Sequence, residues 1–230
     1  MSNISENLER ISERIFAACE RAGRKRESVE LIAVSKTKPV SDIREAMRLG
    51  IRCFGENRVQ ELRQKTAEIP EKLHWHMIGV LQKNKVKYLP GMVEMIHSVD
   101  SLGLAQEIEK ECKKHGISMD VLCEVNVGRE ESKGGVLPEE LPGFLSEAVK
   151  LSHLRIRGLM TVAPIASEAE ESRPIFRSLR ELLESMNREI PALSMDQLSM
   201  GMSGDFEVAI EEGATLVRIG SAIFGDRHYS

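Results

Sequence analysis

Short apolar runs alternate with charged stretches of helical period along almost the whole chain, and this alternation constrains the fold more than any other feature. Each run has the length of a strand, and turn-forming or charged residues separate it from the next. The eight candidate strands are ELIAVSK (30–36), CFGE (53–56), HWHMIG (74–79), EMIHSV (94–99), SMDVLCEVNV (118–127), HLRIRGLMTV (153–162), QLSMG (197–201) and TLVRIG (215–220). The pattern predicts an α/β fold, a single (β/α)8 TIM barrel, with a doubly wound sheet as the alternative.

The size of the chain favours one domain. Its 230 residues, 41% of them hydrophobic, can bury one large core or at most two modest ones. An amphipathic pattern near residues 3–23 predicts an extra N-terminal helix before the first strand. The charged segment APIASEAEESRP (163–174) is interpreted as an insertion before a helix and not as a domain boundary. We therefore expect residues 1–230 to form a single barrel domain.

Charge and apolar patterning argue against several classes of protein. The 32 basic and 36 acidic residues are well mixed, with a formal net charge of -4, so they provide no broad positive surface for nucleic acid. No apolar run approaches the ~18 residues of a membrane span, and the N-terminal segment MSNISENLERISERIF has no apolar signal core. Four cysteines lack CxxC spacing: Cys19, Cys53, Cys112 and Cys123. We expect a cytoplasmic protein with reduced thiols and with neither nucleic acid nor a membrane as partner.

Lys36 follows the apolar run of the first strand in LIAVSKTKP (31–39). Catalytic groups of (β/α)8 barrels lie at the C-terminal ends of the strands, where the βα loops meet. A lysine ammonium held at an apolar rim loses solvation, its pKa falls from about 10.4, and its amine becomes a nucleophile toward aldehydes. Lys36 is therefore a candidate for Schiff-base formation, although its position alone also fits a solvated surface lysine.

Glycine- and serine-containing turns follow the last two strands in LSMGMSGDF (198–206) and VRIGSAIFG (217–225). Glycine lets backbone amides approach a ligand, and amides at a helix N-terminus attract phosphate. The loops after strands seven and eight are the usual phosphate site of this barrel. Ser203 is expected to cap the helix that begins near Asp205, whose carboxylate would repel a phosphate unless it points outward. Ordinary helix capping explains either turn alone, but explains less well why both occur in the last two strands.

A lysine that can form an imine and a phosphate cradle across one barrel mouth together meet the requirements of pyridoxal 5'-phosphate (PLP). A wider resemblance rests on stretches that occur in order: LIAVSKTKP, FGENRVQE (54–61), WHMIGVLQKNKVK (75–87), IHSVDS (96–101), VNVGREESKGG (125–135), RGLMTVAP (157–164), LSMGMSGDFEVAI and VRIGSAIFGDR. Over almost its whole length the chain resembles the pyridoxal phosphate homeostasis proteins. That family has the barrel of the alanine racemase N-terminal domain, which is fold type III among the folds that bind this cofactor.

The resemblance implies a set of cofactor-binding residues. They are Lys36, Asn57, His76, Ser203, Arg218, Gly220 and Ser221. Lys36 is implied to carry PLP as an internal aldimine, and Arg218 is implied to face the pyridine nitrogen. The two serines and Gly220 are implied to lie at the phosphate, and the remaining two residues to line the same barrel mouth.

Two of these residues also have simpler interpretations. Asn57 follows the second strand directly and is equally suited to capping the next helix. His74 and His76 share one face of a strand, which is a spacing found in metal pairs. With no third ligand in the sequence, we expect no zinc site.

Four further residues near the predicted mouth are assigned mainly by chemistry. Met200 and Met202 are expected to pack around the cofactor ring and not to take part in chemistry. Lys133 is interpreted most simply as a solvated charge in a glycine-flanked loop, although it could help to admit or release an aldehyde ligand. Lys38 has a similar interpretation.

Two main functions compete, a cofactor carrier and an amino-acid racemase-like enzyme. Racemases of this fold carry a second, β-rich domain that supplies a tyrosine base and helps to build a dimer. This chain ends ten residues after Gly220, with Tyr229 in the tail and Tyr88 in the third helix, so we expect neither tyrosine to act as that base. We therefore expect a monomeric carrier that acts in PLP homeostasis, with PLP-dependent apoenzymes as acceptors. A barrel aldolase that uses Lys36 without a cofactor is a third interpretation.

Arg218 fits the carrier, although the resemblance implies that racemases of this fold share this arginine and add an acid and a base. A guanidinium can only donate a hydrogen bond, so a pyridine nitrogen facing it stays an unprotonated acceptor. The ring is then a poor electron sink, and carbanion chemistry becomes difficult while imine formation remains available.

Overall fold

The structure, a computed structural model, describes residues 3–130 and 133–225. Within these ranges eight parallel strands follow one another in chain order around a closed barrel, and the last strand pairs with the first. The TIM-barrel prediction is therefore confirmed. No helix in the described ranges is long and apolar enough to cross a membrane. Tyr229 lies outside the described residues.

In the described ranges an α-helix follows every strand except β3, which is followed by a 3-10 helix, and one further α-helix precedes β1. The strands are β1 (Glu30–Val34), β2 (Cys53–Glu56), β3 (His74–Met77), β4 (Met95–Val99), β5 (Met119–Glu124), β6 (Leu154–Met160), β7 (Gln197–Ser199) and β8 (Leu216–Ile219). The α-helices are α1 (Ile4–Arg21), α2 (Val40–Arg48), α3 (Val59–Glu68), α4 (Leu102–His115), α5 (Leu141–Ala148), α6 (Arg173–Glu189), α7 (Phe206–Glu211) and α8 (Ser221–Phe224). Short 3-10 helices span Arg26–Ser28, Lys83–Tyr88 and Ala169–Ser172.

Most strands end earlier than their apolar runs predict. β1 stops at Val34, so Lys36 lies in the loop that follows and not in the strand. β5 stops at Glu124, after which Val125 forms only an isolated bridge with Val136. Residues just past these strand ends, such as Ser35 and Val125, are still buried. An apolar run in the sequence therefore indicates which residues are buried, but it does not indicate where strand pairing stops.

Two apolar clusters divide the core. The smaller lies inside the barrel, and its buried members are Ile32, Cys53, Met95, Leu122, Met160 and Leu216. The larger fills the space between the barrel and its helices, and α1 contributes its apolar face to it. That face carries buried residues at helical spacing: Ile4, Leu8, Ile11, Ile15, Ala18 and Cys19. The extra N-terminal helix thus packs on α7 and α8, the last two α-helices of the barrel.

Gly158 allows β6 to approach β7 closely. A Cβ atom at this position would lie 1.8 Å from the carbonyl oxygen of Gln197, its partner in the β6–β7 ladder. Gly143 in α5 is the opposite case, because a Cβ atom there would meet nothing within 4 Å. One glycine is therefore required by strand packing, and the other is not.

We expect Gly158→Ala to lower the free energy of unfolding by roughly 2–3 kcal/mol, because the new methyl group must push two paired strands apart. Gly143→Ala is the matched control and should raise the free energy of unfolding by up to about 1 kcal/mol, since alanine is the better helix former. Urea unfolding followed by circular dichroism measures both. Equal stability of the two variants would contradict this account of β6 and β7.

Candidate functional site

A cavity of about 460 Å³ opens at the C-terminal ends of the strands. This volume lies within the range of small-ligand sites. Its lining includes six of the residues that the sequence analysis selected: Lys36, Asn57, Ser203, Arg218, Gly220 and Ser221. Residues from the first, second, seventh and eighth βα units therefore meet at one mouth.

Alternation along the strands explains why these residues converge. Side chains of a strand point alternately to its two faces, so positions two apart share one face. Ile32 lies in the inner cluster, and two further steps of two residues reach Lys36. Leu216 lies in the same cluster, and the same steps reach Arg218 and Gly220. The inward face of each strand thus leads from a packed barrel interior to a polar mouth.

Lys36 lies in a tight turn, residues 35–38, which we call the lysine turn. The N–H of Lys38 donates a hydrogen bond to the carbonyl oxygen of Ser35 over 3.0 Å. Thr37 has a φ of 63°, in the left-handed region that β-branched residues rarely adopt. Such a conformation costs of order 1–3 kcal/mol and persists only where the surroundings fix it. The residue next to Lys36 is therefore held in an unfavourable backbone conformation.

A buried ion network fixes the lysine turn from the side of α3. Its members are Glu56, Glu61 and Lys65, and the ammonium of Lys65 donates to both carboxylates and to the Ser35 carbonyl oxygen, each over 2.7 Å. The Ser35 hydroxyl donates to Glu56 Oε1 over 2.6 Å, and the Thr37 N–H donates to Glu61 Oε1 over 2.5 Å. Burial raises the pKa of Glu56, while the Lys65 ammonium opposes that rise. No pattern in the sequence marks this network, because α3 and the turn after β1 meet only in the folded barrel.

Ser203 and Ser221 lie together at the N-terminus of α8. Their hydroxyl oxygens are 3.2 Å apart, and the Ala222 N–H donates to Ser203 Oγ over 3.3 Å. The expectation that Ser203 caps α7 is therefore wrong. Asp205 occupies the N-cap position of α7, and its carboxylate accepts a hydrogen bond from the Met202 N–H over 2.6 Å. The Ser203 hydroxyl serves α8 because the loop after β7 folds over the start of the last helix.

Gly220 brings the chain close to β1. A Cβ atom at Gly220 would lie 3.2 Å from both the Cβ atom and the carbonyl oxygen of Val34. A side chain there would crowd the strand end that leads to Lys36. The absence of a side chain keeps the lysine turn and the start of α8 on one open cavity.

Asn57 presents a buried acceptor that the protein does not satisfy. Its Oδ1 atom is buried and has no hydrogen-bond partner among the described residues. Asn57 does not cap the next helix, because the N-cap of α3 is Arg58 and no side chain bonds to that helix start. A buried, unsatisfied oxygen in a ligand-sized cavity is available to a donor on a ligand. The close approach of Gly79, where a Cβ atom would lie 2.7 Å from the Asn57 carbonyl oxygen, holds the asparagine in place.

A chain of polar side chains crosses the barrel interior and ends at Arg218. The guanidinium donates to Ser199 Oγ over 2.5 Å and to the Thr161 carbonyl oxygen over 2.8 Å. His97 Nδ1 lies 2.9 Å from Ser199 Oγ, and His97 Nε2 lies 2.8 Å from His76 Nδ1. This series of hydrogen-bonded side chains orients the Arg218 guanidinium. Sequence reasoning missed His97 and Ser199, although both stand on inward-facing positions of predicted strands.

Burial keeps His76 and His97, the two histidines of this hydrogen-bonded series, neutral. It lowers the pKa of His76 to about 4 and that of His97 well below its ordinary value. Burial also lowers the pKa of Arg218 to about 10, so its guanidinium remains charged at neutral pH. His76, which was expected to line the mouth, is buried beside His97 and is not among the described residues that line the cavity. His74 is exposed and contacts Glu94, and no group of three metal-ligating side chains occurs in the described ranges.

The other residues singled out near the mouth have separate positions. Met200 is fully buried in the outer core cluster and does not line the cavity, whereas Met202 lines it. Lys133 donates to the Ala163 carbonyl oxygen over 3.0 Å and contacts Glu130. Met200 directly follows β7 and packs into the outer core cluster, whereas Met202 lies two residues farther along, in the loop that reaches the mouth.

Lys38 joins the lysine turn to α8. Its ammonium donates to the carbonyl oxygens of Phe224 and Gly225 over 2.9 and 3.0 Å, at the C-terminal end of that helix. A cation at this end complements the helix dipole. Lys38 also lines the cavity, so it belongs both to the site and to its framework.

The comparison with known proteins agrees with this geometry. The family described as alanine racemase, N-terminal domain, matches residues 6–228. A pyridoxal phosphate homeostasis protein of Aquifex aeolicus is 51% identical over 228 residues, which cover 99% of this chain and 100% of that protein. The chain belongs to the pyridoxal phosphate homeostasis protein family.

Solved structures place this pyridoxal phosphate homeostasis family member among barrels of the same shape. PipY of Synechococcus elongatus, solved with PLP bound, is 38% identical with a TM-score of 0.82, and the match covers 94% of this chain and 100% of PipY. An alanine racemase of Clostridium difficile is 17% identical with a TM-score of 0.76, and the match covers 100% of this chain and 58% of the racemase. The racemase likeness establishes the shared fold.

Glu124, at the end of β5, gives the barrel mouth a pH-dependent stability. Burial and then the Asp100 carboxylate raise the pKa of Glu124 to about 7 from an ordinary value of 4.5, while Arg218 opposes the rise. The folded state therefore binds this proton more tightly than the unfolded chain does. Its stabilising contribution is complete below pH 4.5 and is lost as the pH rises through about 7.

We expect wild-type protein to lose stability relative to Glu124→Gln as the pH rises, by up to about 3 kcal/mol over the whole titration. The glutamine variant keeps a neutral side chain of similar shape at every pH. The measurement is the free energy of unfolding in urea for both proteins between about pH 5 and pH 8. Two stability curves that stay parallel over this range would show that Glu124 titrates normally.

Proposed function

We propose that this protein binds PLP as an imine of Lys36 and acts in intracellular PLP homeostasis as a carrier of the cofactor. The observation that carries the proposal is that Lys36 and the serine pair at α8 line the same cavity of about 460 Å³. A primary amine on one side and hydroxyl groups with helix amides on the other suit an aldehyde that bears a phosphate. The PLP bound to the related PipY supports this choice of ligand.

The residues of the cavity fit the cofactor. Asn57 Oδ1 offers a buried acceptor that no described protein group satisfies. Gly204 is open, since a Cβ atom there would meet nothing within 4 Å, and the cavity is large enough for a ligand of PLP's size. When bound, PLP supplies an aldehyde that condenses with a primary amine and releases water.

The phosphate is proposed to bind at Ser203, Gly220 and Ser221. Hydroxyl groups of the two serines lie 3.2 Å apart and can both turn toward an anion. Hydrogen bonds to a charged group contribute about 1.5–3 kcal/mol each, so several of them dominate the affinity for a small ligand. Arg218 stays charged at neutral pH and lies on the same cavity, where it adds a favourable field for the anion.

Arg218 is also proposed to face the pyridine nitrogen. Its guanidinium is fixed by Ser199 and the Thr161 carbonyl oxygen, and it can only donate hydrogen bonds. A nitrogen that accepts from it stays unprotonated, which weakens the cofactor as an electron sink. The described lining of the cavity contains no tyrosine, histidine or carboxylate that could serve as a paired acid and base. Racemases of this fold resemble this chain in that arginine, so the described cavity lining, which lacks a paired acid and base, is the feature that supports a carrier over a racemase-like enzyme.

The remaining parts of the proposal concern the cellular setting. We propose that the chain is one barrel domain, acts as a monomer in the cytoplasm and passes PLP to PLP-dependent apoenzymes. All four cysteines lie in the described ranges and are buried free thiols, which suits a reducing compartment. The formal net charge of -4 is modest and does not favour nucleic acid as a partner.

Borohydride reduction of the PLP-loaded protein should fix the cofactor on Lys36, because reduction turns the imine into a stable secondary amine. Peptide mass analysis then identifies the labelled lysine, and the loaded protein should be yellow before reduction. Lys36→Ala should lose most of the label, whereas Lys133→Met should retain it. A label found mainly on Lys38 or Lys133 in the wild-type protein would overturn the attachment to Lys36.

We expect Ser221→Asp to weaken PLP binding roughly tenfold or more, because a carboxylate replaces a hydroxyl at the proposed phosphate site. Aspartate at the first position of a helix is favourable for the helix itself, so the fold should be kept. Ser221→Ala is the control, and it should weaken binding much less. Absorbance titration with PLP and with pyridoxal measures the effect, and equal affinities of the wild type for the two ligands would disprove the phosphate anchor.

A further inference from the structure

The lysine turn is held at points on both sides of Lys36. Before it, the carbonyl oxygen and the hydroxyl of Ser35 bond to the buried ion network. After it, the N–H of Thr37 bonds to Glu61. These bonds therefore fix the backbone on either side of Lys36. None of them involves the Lys36 side chain.

Lys65 is the centre of this arrangement. Its three ammonium protons meet three acceptors at 2.7 Å, and the residue is only 4% exposed. Glu56 is fully buried, so without Lys65 its charge would have no cation in the network and its carboxylate would be driven toward protonation. Removal of Lys65 therefore takes one of two hydrogen bonds from the Ser35 carbonyl oxygen and disturbs both carboxylates.

The strain at Thr37 makes these bonds necessary. A β-branched residue at a φ of 63° relaxes toward negative φ when its surroundings permit. That relaxation would rotate the peptide unit beside Lys36 and swing the lysine away from the cavity. The network opposes the rotation from both sides of the turn.

Lys65, Glu56 and Glu61 lie outside the cavity. The described residues that line it include Lys36, Thr37 and Asn57 but none of the three members of the network. Buried ion pairs are also weak stabilisers compared with apolar side chains of the same volume. A role in setting the geometry of the turn explains why charged groups occupy this part of the barrel.

We infer that Lys65 is a positioning residue for Lys36: together with Glu56 and Glu61 it holds the lysine turn in the one conformation that directs the amine into the cavity. This inference rests on the proposed function, in which Lys36 forms the imine. Lys65 acts through the backbone of Ser35 and through Glu61, which holds Thr37, and it contacts no ligand.

The test is Lys65→Met, which keeps an unbranched side chain one atom shorter than lysine and removes its charge. PLP forms an imine with Lys36, whereas pyridoxine 5'-phosphate has no aldehyde and binds only through its ring and phosphate. We expect the variant to lose about tenfold to a hundredfold in affinity for PLP, as a misplaced reacting group does, with little change for pyridoxine 5'-phosphate. Absorbance titration measures the first ligand and calorimetry the second.

A second substitution separates positioning from general damage. Thr37→Gly in the Lys65→Met background should recover part of the PLP affinity, because glycine adopts positive φ without strain. Glu61→Gln, at a partly exposed site, should give a smaller loss of the same selective kind if Lys65→Met does not fold. Glu212→Gln is the matched control, since Glu212 is buried in an ion network with Arg173 and Arg177 between α6 and α7, away from the cavity.

The possible outcomes are distinct. If the wild-type protein forms no imine at Lys36, the proposed function fails, and the inference fails with it. If the wild type forms the imine and Lys65→Met has the same PLP affinity, the inference alone is overturned. The inference is also overturned if Lys65→Met loses affinity equally for PLP and for pyridoxine 5'-phosphate. A loss in Glu212→Gln that is as selective as the loss in Lys65→Met would overturn it too, because Lys65 would then be only a stabilising residue.

Discussion

The pairing of β1 with β8 is the constraint on which the site depends. The ladder aligns Ala33 with Ile219, so the chain leaves both strands at the same height on the barrel. The lysine turn follows one of these strands and α8 follows the other. Residues from the two ends of the sequence thus become neighbours because a parallel sheet of eight strands closes on itself. An open sheet of the same strands would leave the lysine and the serine pair at opposite edges.

Closure also explains why polar groups can stand in the barrel interior. The lower layer is apolar, and the layers above it carry His97, Ser199 and Arg218 with their hydrogen bonds satisfied. Burying these groups stabilises the protein less than an apolar filling would, but each fixes the orientation of the next. The polar interior thus lowers the stability of the barrel relative to an apolar one and fixes the orientation of the Arg218 guanidinium. The buried ion network beside β2 does the same for the lysine turn.

Much of this architecture could be predicted from the sequence, because strand periodicity is a local property. The eight strands and their closure were predicted, and Lys36, Asn57, Arg218 and the serines were expected at one mouth. The details that failed depend on loops and on register. Ser203 was expected to cap α7 and instead bonds at α8. Lys65 was missed because only the fold brings α3 against the turn after β1, and no local pattern distinguishes a buried lysine from an exposed one.

The bond from Lys38 to the end of α8 links two segments that are 186 residues apart in the chain. Its ammonium binds the carbonyl oxygens of Phe224 and Gly225, while the first turn of the same helix carries the serine pair. Lys38 is two residues from Lys36 and lines the same cavity. One side chain therefore joins the lysine turn to the helix that carries the serine pair, and the two halves of the cavity share one framework.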